Sequence, residues 1–280
     1  MKKYSIISLG CSKNLVDSEV FSYIMENSNF SYTENLLDAH IIIVNTCGFI
    51  QDAKIESIES ILEAAEYKNK GICEKLIVTG CLVKRYFEDI KQSIPEIDHL
   101  IDLKDFKTFS KIFSSKLIIS RKLLTPSHYA YLRISDGCNN CCSYCAIPLI
   151  RGNLRSVPIE KLVEEAEFLA DKGVKELILT AQDTCQYGVD IYKSPKLIKL
   201  LNQLHEIKGI EWIRILYLHP AHITSEIIDT FAGLTKIRKY FDIPFQHIND
   251  QLLKSMNRKV HKKKIINILE EIKTKIPEAA

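Results

Sequence analysis

The sequence predicts an α/β fold in which an N-terminal parallel-sheet domain is followed by a partial βα barrel. Short apolar runs rich in β-branched residues recur along the chain, and stretches with the apolar spacing of amphipathic helices separate them. Strands and helices that alternate in this way form parallel sheets covered by helices. The 280 residues are enough for two domains of ordinary size. We predict an N-terminal domain at 1–113, a linker at 114–127 and a barrel domain at 128–280.

The N-terminal domain is predicted to contain four strands and three helices. Its clearest strand is the run Ile41-Ile42-Ile43-Val44, because parallel strands covered on both faces are continuously apolar. In chain order, the predicted elements are a strand at 4–9, a helix at 14–26, a strand at 41–44, a helix at 53–67, a strand at 75–79, a helix at 86–93 and a strand at 99–103.

The barrel domain is predicted to contain four successive βα units. Its first helix is followed by Gly173, which is a typical C-cap signal. The predicted elements are a strand at 129–135, a helix at 159–172, a strand at 176–180, a helix at 195–207, a strand at 212–218, a helix at 225–231, a strand at 240–243 and a helix at 261–275. A closed barrel of this type has eight such units, so the predicted barrel is partial.

The composition is that of a globular protein with a core, since 46% of the residues are hydrophobic and 26% are charged. A net charge of +3 is too small to indicate a nucleic-acid surface. No stretch approaches the roughly 20 apolar residues of a transmembrane helix, and the apolar run at 4–9 is too short for a signal peptide. We therefore predict a cytoplasmic protein without membrane contact, whose nine cysteines are reduced. In that compartment, clustered thiolates more often bind metal or do chemistry than form disulfides.

Three cysteines follow three predicted strands of the N-terminal domain. Cys11, Cys47 and Cys81 each come directly after a strand, and each has a glycine beside it. Because the carboxyl ends of parallel strands lie along one edge of the sheet, these thiols are expected to converge. Three converging thiolates suit an iron–sulfur cluster with one open iron, whereas a single strand-end cysteine is more often a small buried hydrophobe. Cys73 lies outside the pattern and is interpreted as an ordinary thiol.

A second group of cysteines follows the first strand of the barrel domain, in the segment GCNNCCSYC. Cys138, Cys142 and Cys145 can hold three corners of a [4Fe–4S] cluster and leave the fourth iron open for a small ligand. A structural zinc ion is the alternative, since Cys141 would supply a fourth thiolate. We favour the cluster because adjacent thiolates at 141 and 142 are hard to direct at one ion.

The spacing CxxxCxxC after a strand resembles the radical S-adenosylmethionine superfamily. The wider strings ISLGCSKNLVDSE, VNTCGFI, CNNCCSYCAIPLIRG, LTAQDTCQYGVD and DIPFQHIND resemble its methylthiotransferase family over essentially the whole chain. Within that family they are most similar to the branch that modifies an aspartate of small-subunit ribosomal protein S-twelve. Two of these strings, SLGCSKN and AQDT, differ from those of the sister branch, which modifies an adenosine in tRNA.

The resemblance implies an iron–sulfur transferase with two [4Fe–4S] clusters and S-adenosylmethionine as cofactors. Cys138, Cys142 and Cys145 would hold the cluster that binds and reductively cleaves S-adenosylmethionine. The resulting 5′-deoxyadenosyl radical removes a hydrogen atom from an unactivated carbon, the auxiliary cluster on Cys11, Cys47 and Cys81 takes part in sulfur insertion, and a second S-adenosylmethionine supplies the methyl group. The implied product is a β-methylthio-aspartate.

Further contacts are assigned from the expected position of the barrel site at the strand ends. Gln182, Asp183 and Gln246 are predicted to contact cofactor or substrate, and for Gln182 and Asp183 the alternative is a polar loop after a buried strand. Tyr144 matches an aromatic position of the superfamily. His219 is interpreted as structural rather than as a ligand. Arg151 and Arg155 either pair with a carboxylate or lie in a solvated loop.

The basic run from Arg258 to Lys264, RKVHKKK, has two interpretations. It either contacts ribosomal RNA or an acidic partner, or forms a solvated helix start, which we favour. The expected partners are ribosomal protein S-twelve, free or within the ribosome, an electron donor and an unidentified sulfur donor. The chain is expected to be a monomer.

Two departures from the family pattern are visible. Cys141 stands where the family usually has another residue, so the ligand set Cys138, Cys141 and Cys145 stays open as an alternative. Family members also continue through more of the barrel and a C-terminal TRAM domain, so we expect a truncated chain with impaired or absent activity and an unpaired sheet edge near 240–243. A tRNA methylthiotransferase and a non-catalytic two-cluster electron carrier are the competing functions.

Overall fold

The computed structural model describes residues 1–118 and 120–280. The chain divides into two compact units, Met1–Leu124 and Thr125–Ala280. The boundary between them lies within the stretch 114–127 that was predicted to be a linker, of which Ile119 lies outside the described residues. Within the described residues, no helix combines the length and the low polarity needed to cross a bilayer.

Unit 1 is built on a five-stranded parallel sheet with the order β2-β1-β3-β4-β5. Its strands are Lys3–Ser8 (β1), Ser31–Tyr32 (β2), Ile41–Thr46 (β3), Lys75–Gly80 (β4) and His99–Leu100 (β5). Its helices are Ser12–Asn27 (α1), Gln51–Lys70 (α2), Cys81–Ser93 (α3) and Phe106–Ile112 (α4). The predicted parallel-sheet domain is therefore confirmed.

The sheet of unit 1 buries both faces, as its uninterrupted apolar strands require. Ile42 and Val44 of β3 pack with residues of α2 and α3 on one face. Ile41 and Ile43 pack on the other face with residues of α1 and α4, where the rings of Phe21 and Phe109 lie 4.7 Å apart. Alternate residues of one strand thus supply two separate cores, which hold the strand ends in a fixed register.

Two helices of unit 1 differ from the predictions. Helix α3 begins at Cys81 rather than at residue 86, and a kink at Tyr86 (φ −133°, ψ 38°) separates its two halves. The first half contains the fully buried Val83. In the sequence, the apolar residues around Val83 resemble a continuation of β4, which explains why the helix start was placed too late. Helix α4 was not predicted, and its start is fixed by Asp105, whose carboxylate accepts hydrogen bonds from Thr108 N (2.9 Å) and Oγ1 (2.6 Å).

Unit 2 contains a three-stranded parallel sheet with the order β10-β9-β6 and a two-stranded antiparallel sheet, β7-β8. Its strands are Tyr129–Arg133 (β6), Ser135–Asp136 (β7), Arg155–Ser156 (β8), Glu176–Thr180 (β9) and Trp212–Ile215 (β10). Its helices are Ile147–Ile150 (α5), Ile159–Asp171 (α6), Val189–Tyr192 (α7), Leu197–Glu206 (α8), Ser225–Gly233 (α9), Asp250–Ser255 (α10) and Lys262–Lys275 (α11). Parallel strands followed by helices agree with the predicted partial βα barrel.

The predicted strand at 240–243 is wrong. This segment is not a strand, because the Asp242 side chain accepts a hydrogen bond from Tyr217 N (2.9 Å) while its carbonyl accepts one from Leu218 N (2.9 Å). Phe241 N donates instead to Ala280 O at 2.8 Å. An aspartate that binds backbone groups competes with ladder pairing, and the following Pro244 has no N–H to donate. The sheet edge expected at 240–243 is accordingly not formed there.

Candidate metal centres

The three cysteines of unit 1 lie at one edge of its sheet. Ser8, Asn45 and Thr79 are register neighbours near the ends of β1, β3 and β4. Cys11 follows β1 and precedes α1, Cys47 follows β3, and Cys81 is the first residue of α3. The topology thus brings the three thiols to the carboxyl edge, as predicted. Cys47 and Cys81 are buried, and Cys11 is partly exposed.

Asn14 connects the three strand ends, and sequence reasoning missed it. Its fully buried side chain donates from Nδ2 to Leu9 O and to Thr46 O, both at 2.9 Å. Its Oδ1 lies 3.5 Å from the Cys81 thiol, which donates to it. One amide side chain thereby joins the residues that follow β1, the end of β3 and the start of α3, so it fixes the spacing of the cysteine-bearing turns.

Cys47 is held closely on two sides. Ser57 Oγ accepts a hydrogen bond from Cys47 N and donates one to Cys47 O, each at 2.9 Å. On the other side is Gly10, with φ +85°, where an added Cβ would lie 2.8 Å from Cys47 Sγ. Only glycine fits at this position, because a side chain there would both strain the backbone and displace the thiol.

Two further cysteines are separate from both triads. Cys73 lies just before the amino end of β4, where its thiol donates to Lys75 O at 3.4 Å and burial raises its pKa. Cys185 of unit 2 is 1% exposed, and burial raises its pKa well above the usual value. Both environments disfavour the thiolate, so these cysteines have the properties of structural thiols.

The cysteine loop of unit 2, residues 137–145, follows β7 and leads into α5. Its first turn uses Gly137 at φ +73°, where an added Cβ would lie 2.1 Å from Asn153 O. The loop is then fixed by hydrogen bonds from Cys138 N to Gly152 O at 3.0 Å and from Cys145 N to Cys142 O at 3.1 Å. The backbone thus holds the three cysteines in a tight turn beside β7.

The thiols of this loop interact electrostatically. Burial, together with the charges of Asp183 and Cys145, raises the pKa of Cys138 to about 11. Burial also raises the pKa of Cys145, with a further contribution from Cys142. These thiols lie close enough to disfavour one another's ionisation, and a bound cation relieves that cost by replacing the protons. Cys141 differs, since it is exposed and its thiol lies 3.7 Å from Asn139 O.

The segment after α10 supports the cysteine loop. Asn257 Nδ2 donates to Cys141 O at 2.6 Å, Ser143 N donates to Met256 O at 3.0 Å, and Ser143 Oγ donates to Ser255 O at 3.1 Å. These contacts join residues more than a hundred positions apart in sequence, and no local pattern in the sequence predicts them.

Asp183 is the centre of a polar network beside the loop. Its Oδ2 accepts from Asn140 Nδ2 and contacts His222 Nδ1, both at 2.7 Å. Cys138, Asn140, Asp183 and His222 line a cavity of about 170 Å³. In the described part of the chain, Asp183 Oδ1 and Gln182 Oε1 are buried without a hydrogen-bond partner. Buried oxygens of this kind are rare unless a ligand or water satisfies them.

His219 lies in the same network. Burial lowers its pKa to about 4, and its Nδ1 accepts a hydrogen bond from Ala221 N at 3.2 Å. Its Nε2 is buried and has no partner among residues 1–118 and 120–280. One donor atom each from Asp183, His219 and His222 lies within 4.8 Å of the others, a spacing that a single cation can bridge. Among the described residues, His219 is hydrogen-bonded through Nδ1 and not through Nε2.

The remaining predicted side chains separate into buried and exposed groups. Arg151 is 2% exposed and its NH1 lies 3.1 Å from Asp136 Oδ1, which agrees with the carboxylate pairing rather than the solvated loop. Arg155 is exposed and donates to Arg151 O at 3.3 Å. Tyr144 is 47% exposed, and Gln246 is exposed with φ +69°. Neither of these last two lines the cavity beside Cys138.

The basic run is not uniformly solvated. Lys259, Lys262 and Lys263 are exposed, in agreement with a solvated helix start at α11. Arg258 is 7% exposed and is directed toward the cysteine loop, where its NH1 lies 3.2 Å from Tyr144 Oη. Sequence reasoning treated the run as one surface and missed this difference.

Fold and sites together define the class: an α/β protein with a parallel βα sheet in each unit, in which one cysteine triad follows three strands of the unit 1 sheet and the other lies on the loop after β7 of unit 2. A model of the radical SAM superfamily matches residues 132–279, more than half of the chain, and a model described as uncharacterized protein family UPF0004 matches residues 3–102. Solved structures show the same fold at low sequence identity. The radical S-adenosylmethionine methyltransferase TsrM from Kitasatospora setae has a TM-score of 0.67 at 10% identity, covering 98% of this chain and 66% of that one.

Curated relatives named ribosomal protein uS12 methylthiotransferase RimO are much more similar in sequence. Those from Clostridium tetani and Caldicellulosiruptor saccharolyticus are 47% and 46% identical over 99% of this chain, which covers 66% and 67% of their lengths. The chain belongs to the radical SAM superfamily and, within it, to the RimO family. Membership of the superfamily implies S-adenosylmethionine and a [4Fe–4S] cluster as cofactors. The chain spans about two thirds of the length of the curated relatives it matches.

Proposed function

We propose that this chain is the catalytic part of a radical S-adenosylmethionine methylthiotransferase that adds a methylthio group to the β-carbon of an aspartate in ribosomal protein S-twelve. The observation that carries the proposal is the loop of Cys138, Cys142 and Cys145, a tight turn after β7 whose first cysteine lines a cavity together with Asp183. The identity of 46% and 47% to RimO proteins supports the choice of substrate.

The cysteine loop of unit 2 fits a [4Fe–4S] cluster. The donor set is three thiols on one turn, which leaves an iron open for S-adenosylmethionine. The raised pKa values of Cys138 and Cys145 mean that their thiolates are unfavourable without a cation, and a bound cluster would stabilise those thiolates. When bound, the cluster supplies the electron that cleaves S-adenosylmethionine and starts radical chemistry. Of the two ligand sets, Cys138, Cys142 and Cys145 is supported, because Cys142 interacts with Cys145 whereas Cys141 is exposed.

Residues of unit 2 hold the cysteine loop in place and line the cavity beside it. Asn140 donates to Asp183, so the position of the loop depends on a carboxylate that follows β9. Asp183 Oδ1 and Gln182 Oε1 offer buried acceptors that are unsatisfied within the described residues. We assign these two oxygens to hydrogen bonds with S-adenosylmethionine, whose amine and ribose hydroxyls are donors. Tyr144 and Gln246 stay proposed contacts at the exposed side of the loop.

The cysteine triad of unit 1 fits the auxiliary [4Fe–4S] cluster. Its donor set is Cys11, Cys47 and Cys81, and the bare backbone at Gly10 leaves room beside the Cys47 thiol. Asn14 and Ser57 fix two of the three turns through hydrogen bonds to backbone groups. The auxiliary cluster would take part in sulfur insertion, for which the sulfur donor is unidentified. The chain would act in the cytoplasm as a monomer that receives electrons from a separate donor.

The experiment is product analysis with the reduced, iron-reconstituted chain. S-adenosylmethionine is supplied with either ribosomal protein S-twelve or tRNA, and 5′-deoxyadenosine and methylthio products are measured by mass spectrometry. The proposal predicts 5′-deoxyadenosine and a methylthio group on the aspartate of S-twelve. A methylthio group on tRNA adenosine would assign the sister activity. Bound clusters without 5′-deoxyadenosine, both in this chain and in one extended by the further barrel strands of its relatives, would assign an electron carrier.

A further inference from the structure

Arg258 is the arginine of the basic run RKVHKKK, and its guanidinium is buried. It is 7% exposed, in the turn between α10 and α11, whereas the neighbouring Lys259 and the lysines at 262 and 263 are exposed. Burial of a cation costs several kcal/mol unless an anion and hydrogen bonds compensate it. The surroundings of Arg258 therefore indicate what compensates this charge.

The Arg258 guanidinium faces the cysteine loop. Its NH1 lies 3.2 Å from Tyr144 Oη and 4.0 Å from Cys142 Sγ, with the geometry of a donor to both. On its other side, NH2 donates to Pro244 O. Nε is buried without a partner in the described part of the chain. The side chain is thus fixed from two directions, and its contacts are neutral oxygens and one thiol.

The charge of Arg258 also acts on the groups around the loop. The guanidinium is buried and its NH1 lies 4.0 Å from Cys142 Sγ, so its Coulomb interaction with that thiol is screened less than at an exposed site. A positive charge at this position favours a negative charge on the cysteine loop. An iron–sulfur cluster with thiolate ligands carries such a charge, which would compensate the buried guanidinium.

We propose that Arg258 is a positioning residue of the cluster on Cys138, Cys142 and Cys145, to which it donates a charge-assisted hydrogen bond at Cys142 Sγ while holding Tyr144. This inference rests on the proposed function. Hydrogen bonds to ligand sulfurs and nearby charges set the reduction potential of a cluster. Because reduction adds a negative charge, the Arg258 cation stabilises the reduced form and raises the potential.

The test is a redox titration of the reconstituted full chain, followed by electron paramagnetic resonance. Cys11, Cys47 and Cys81 are all replaced by alanine, so that the loop cluster alone is observed. Arg258→Met removes the cation and the donor at similar length, and Lys263→Met is the matched control from the exposed part of the run. We expect Arg258→Met to lower the equilibrium constant for reduction about tenfold, which is about 59 mV for one electron, and Lys263→Met to change it less than twofold.

Arg258→Lys keeps the charge and is expected to stay within about threefold of the unsubstituted chain. The inference is overturned if Arg258→Met binds iron normally and keeps the same potential. If Arg258→Met binds no iron, Arg258→Lys decides: a bound cluster with a near-normal potential supports the inference, and loss of iron here too assigns Arg258 to packing and overturns it. An unsubstituted chain without a reducible cluster would instead contradict the proposed function.

Discussion

Replacing Asn14 by alanine is expected to loosen the cysteine edge of unit 1. The change removes the amide that donates to Leu9 O and Thr46 O at 2.9 Å. Each hydrogen bond contributes about 1 kcal/mol net, and an unsatisfied buried carbonyl adds about 1–3 kcal/mol. Thr46 is fully buried, whereas Leu9 is partly exposed. In the variant, water can therefore hydrogen-bond to the Leu9 carbonyl, and the Thr46 carbonyl is left without that replacement. We expect the free energy of unfolding of unit 1 to fall by about 3 kcal/mol, which raises the population of its open form more than a hundredfold.

Thiol labelling measures this change, because Cys47 and Cys81 are 8% and 6% exposed in the folded chain. Pulse labelling over a urea series, read by mass spectrometry, follows their exposure separately from unit 2. The control is Asn27→Ala in the same helix, whose exposed side chain donates to Tyr23 O, and it should change the free energy by less than about 0.5 kcal/mol. Equal labelling midpoints for the Asn14 and Asn27 variants would refute the reasoning.

Three further changes give separate tests. Cys142→Ser should abolish iron binding at the loop while Cys141→Ser retains it, as iron analysis of the chain without the unit 1 triad would show; the reverse result would support the other ligand set. Arg151→Met should lower the free energy of unfolding of unit 2 by about 3–5 kcal/mol, because it removes the cation that pairs with the buried Asp136 carboxylate, and an equal effect from the exposed Arg155→Met would contradict this. His219, whose pKa is lowered from 6.5 to about 4, should make stability fall by about 3 kcal/mol as the pH falls from about 6.5 to 4, because the unfolded state binds the proton first. Urea midpoints across that range should lose this slope in His219→Gln.

The strands and the convergence of the unit 1 cysteines were predictable, because both follow from short-range patterns. The continuous apolar run at β3 implies a doubly covered parallel strand, and parallel strands bring Cys11, Cys47 and Cys81 to one edge. The cysteine spacing of the unit 2 loop is likewise local. Asn14 was not predictable, since a polar residue in an amphipathic helix reads as solvated until the ends of β1 and β3 are placed around it.

The errors have a common physical origin in long-range contacts. The segment at 240–243 has the composition of a strand, but the Asp242 carboxylate binds a distant backbone N–H. Arg258 lies in a run of surface lysines, and only the fold places it beside Cys142. His222 and Asn140 are unremarkable in sequence and become site residues through one carboxylate, Asp183. Local patterns therefore predict most of the elements and nominate the candidate metal ligands, whereas tertiary contacts determine which residues support those ligands.

The most direct test of the account is the partition of iron between the two cysteine triads. Iron and acid-labile sulfide are measured, with Mössbauer spectra, in the reconstituted chain and in triple alanine variants at Cys11, Cys47 and Cys81 or at Cys138, Cys142 and Cys145. Two [4Fe–4S] clusters predict about eight irons in the unsubstituted chain and about four in each variant, with 5′-deoxyadenosine lost when the unit 2 triad is replaced. One triad that binds no iron, or 5′-deoxyadenosine that persists without Cys138, Cys142 and Cys145, would contradict the account.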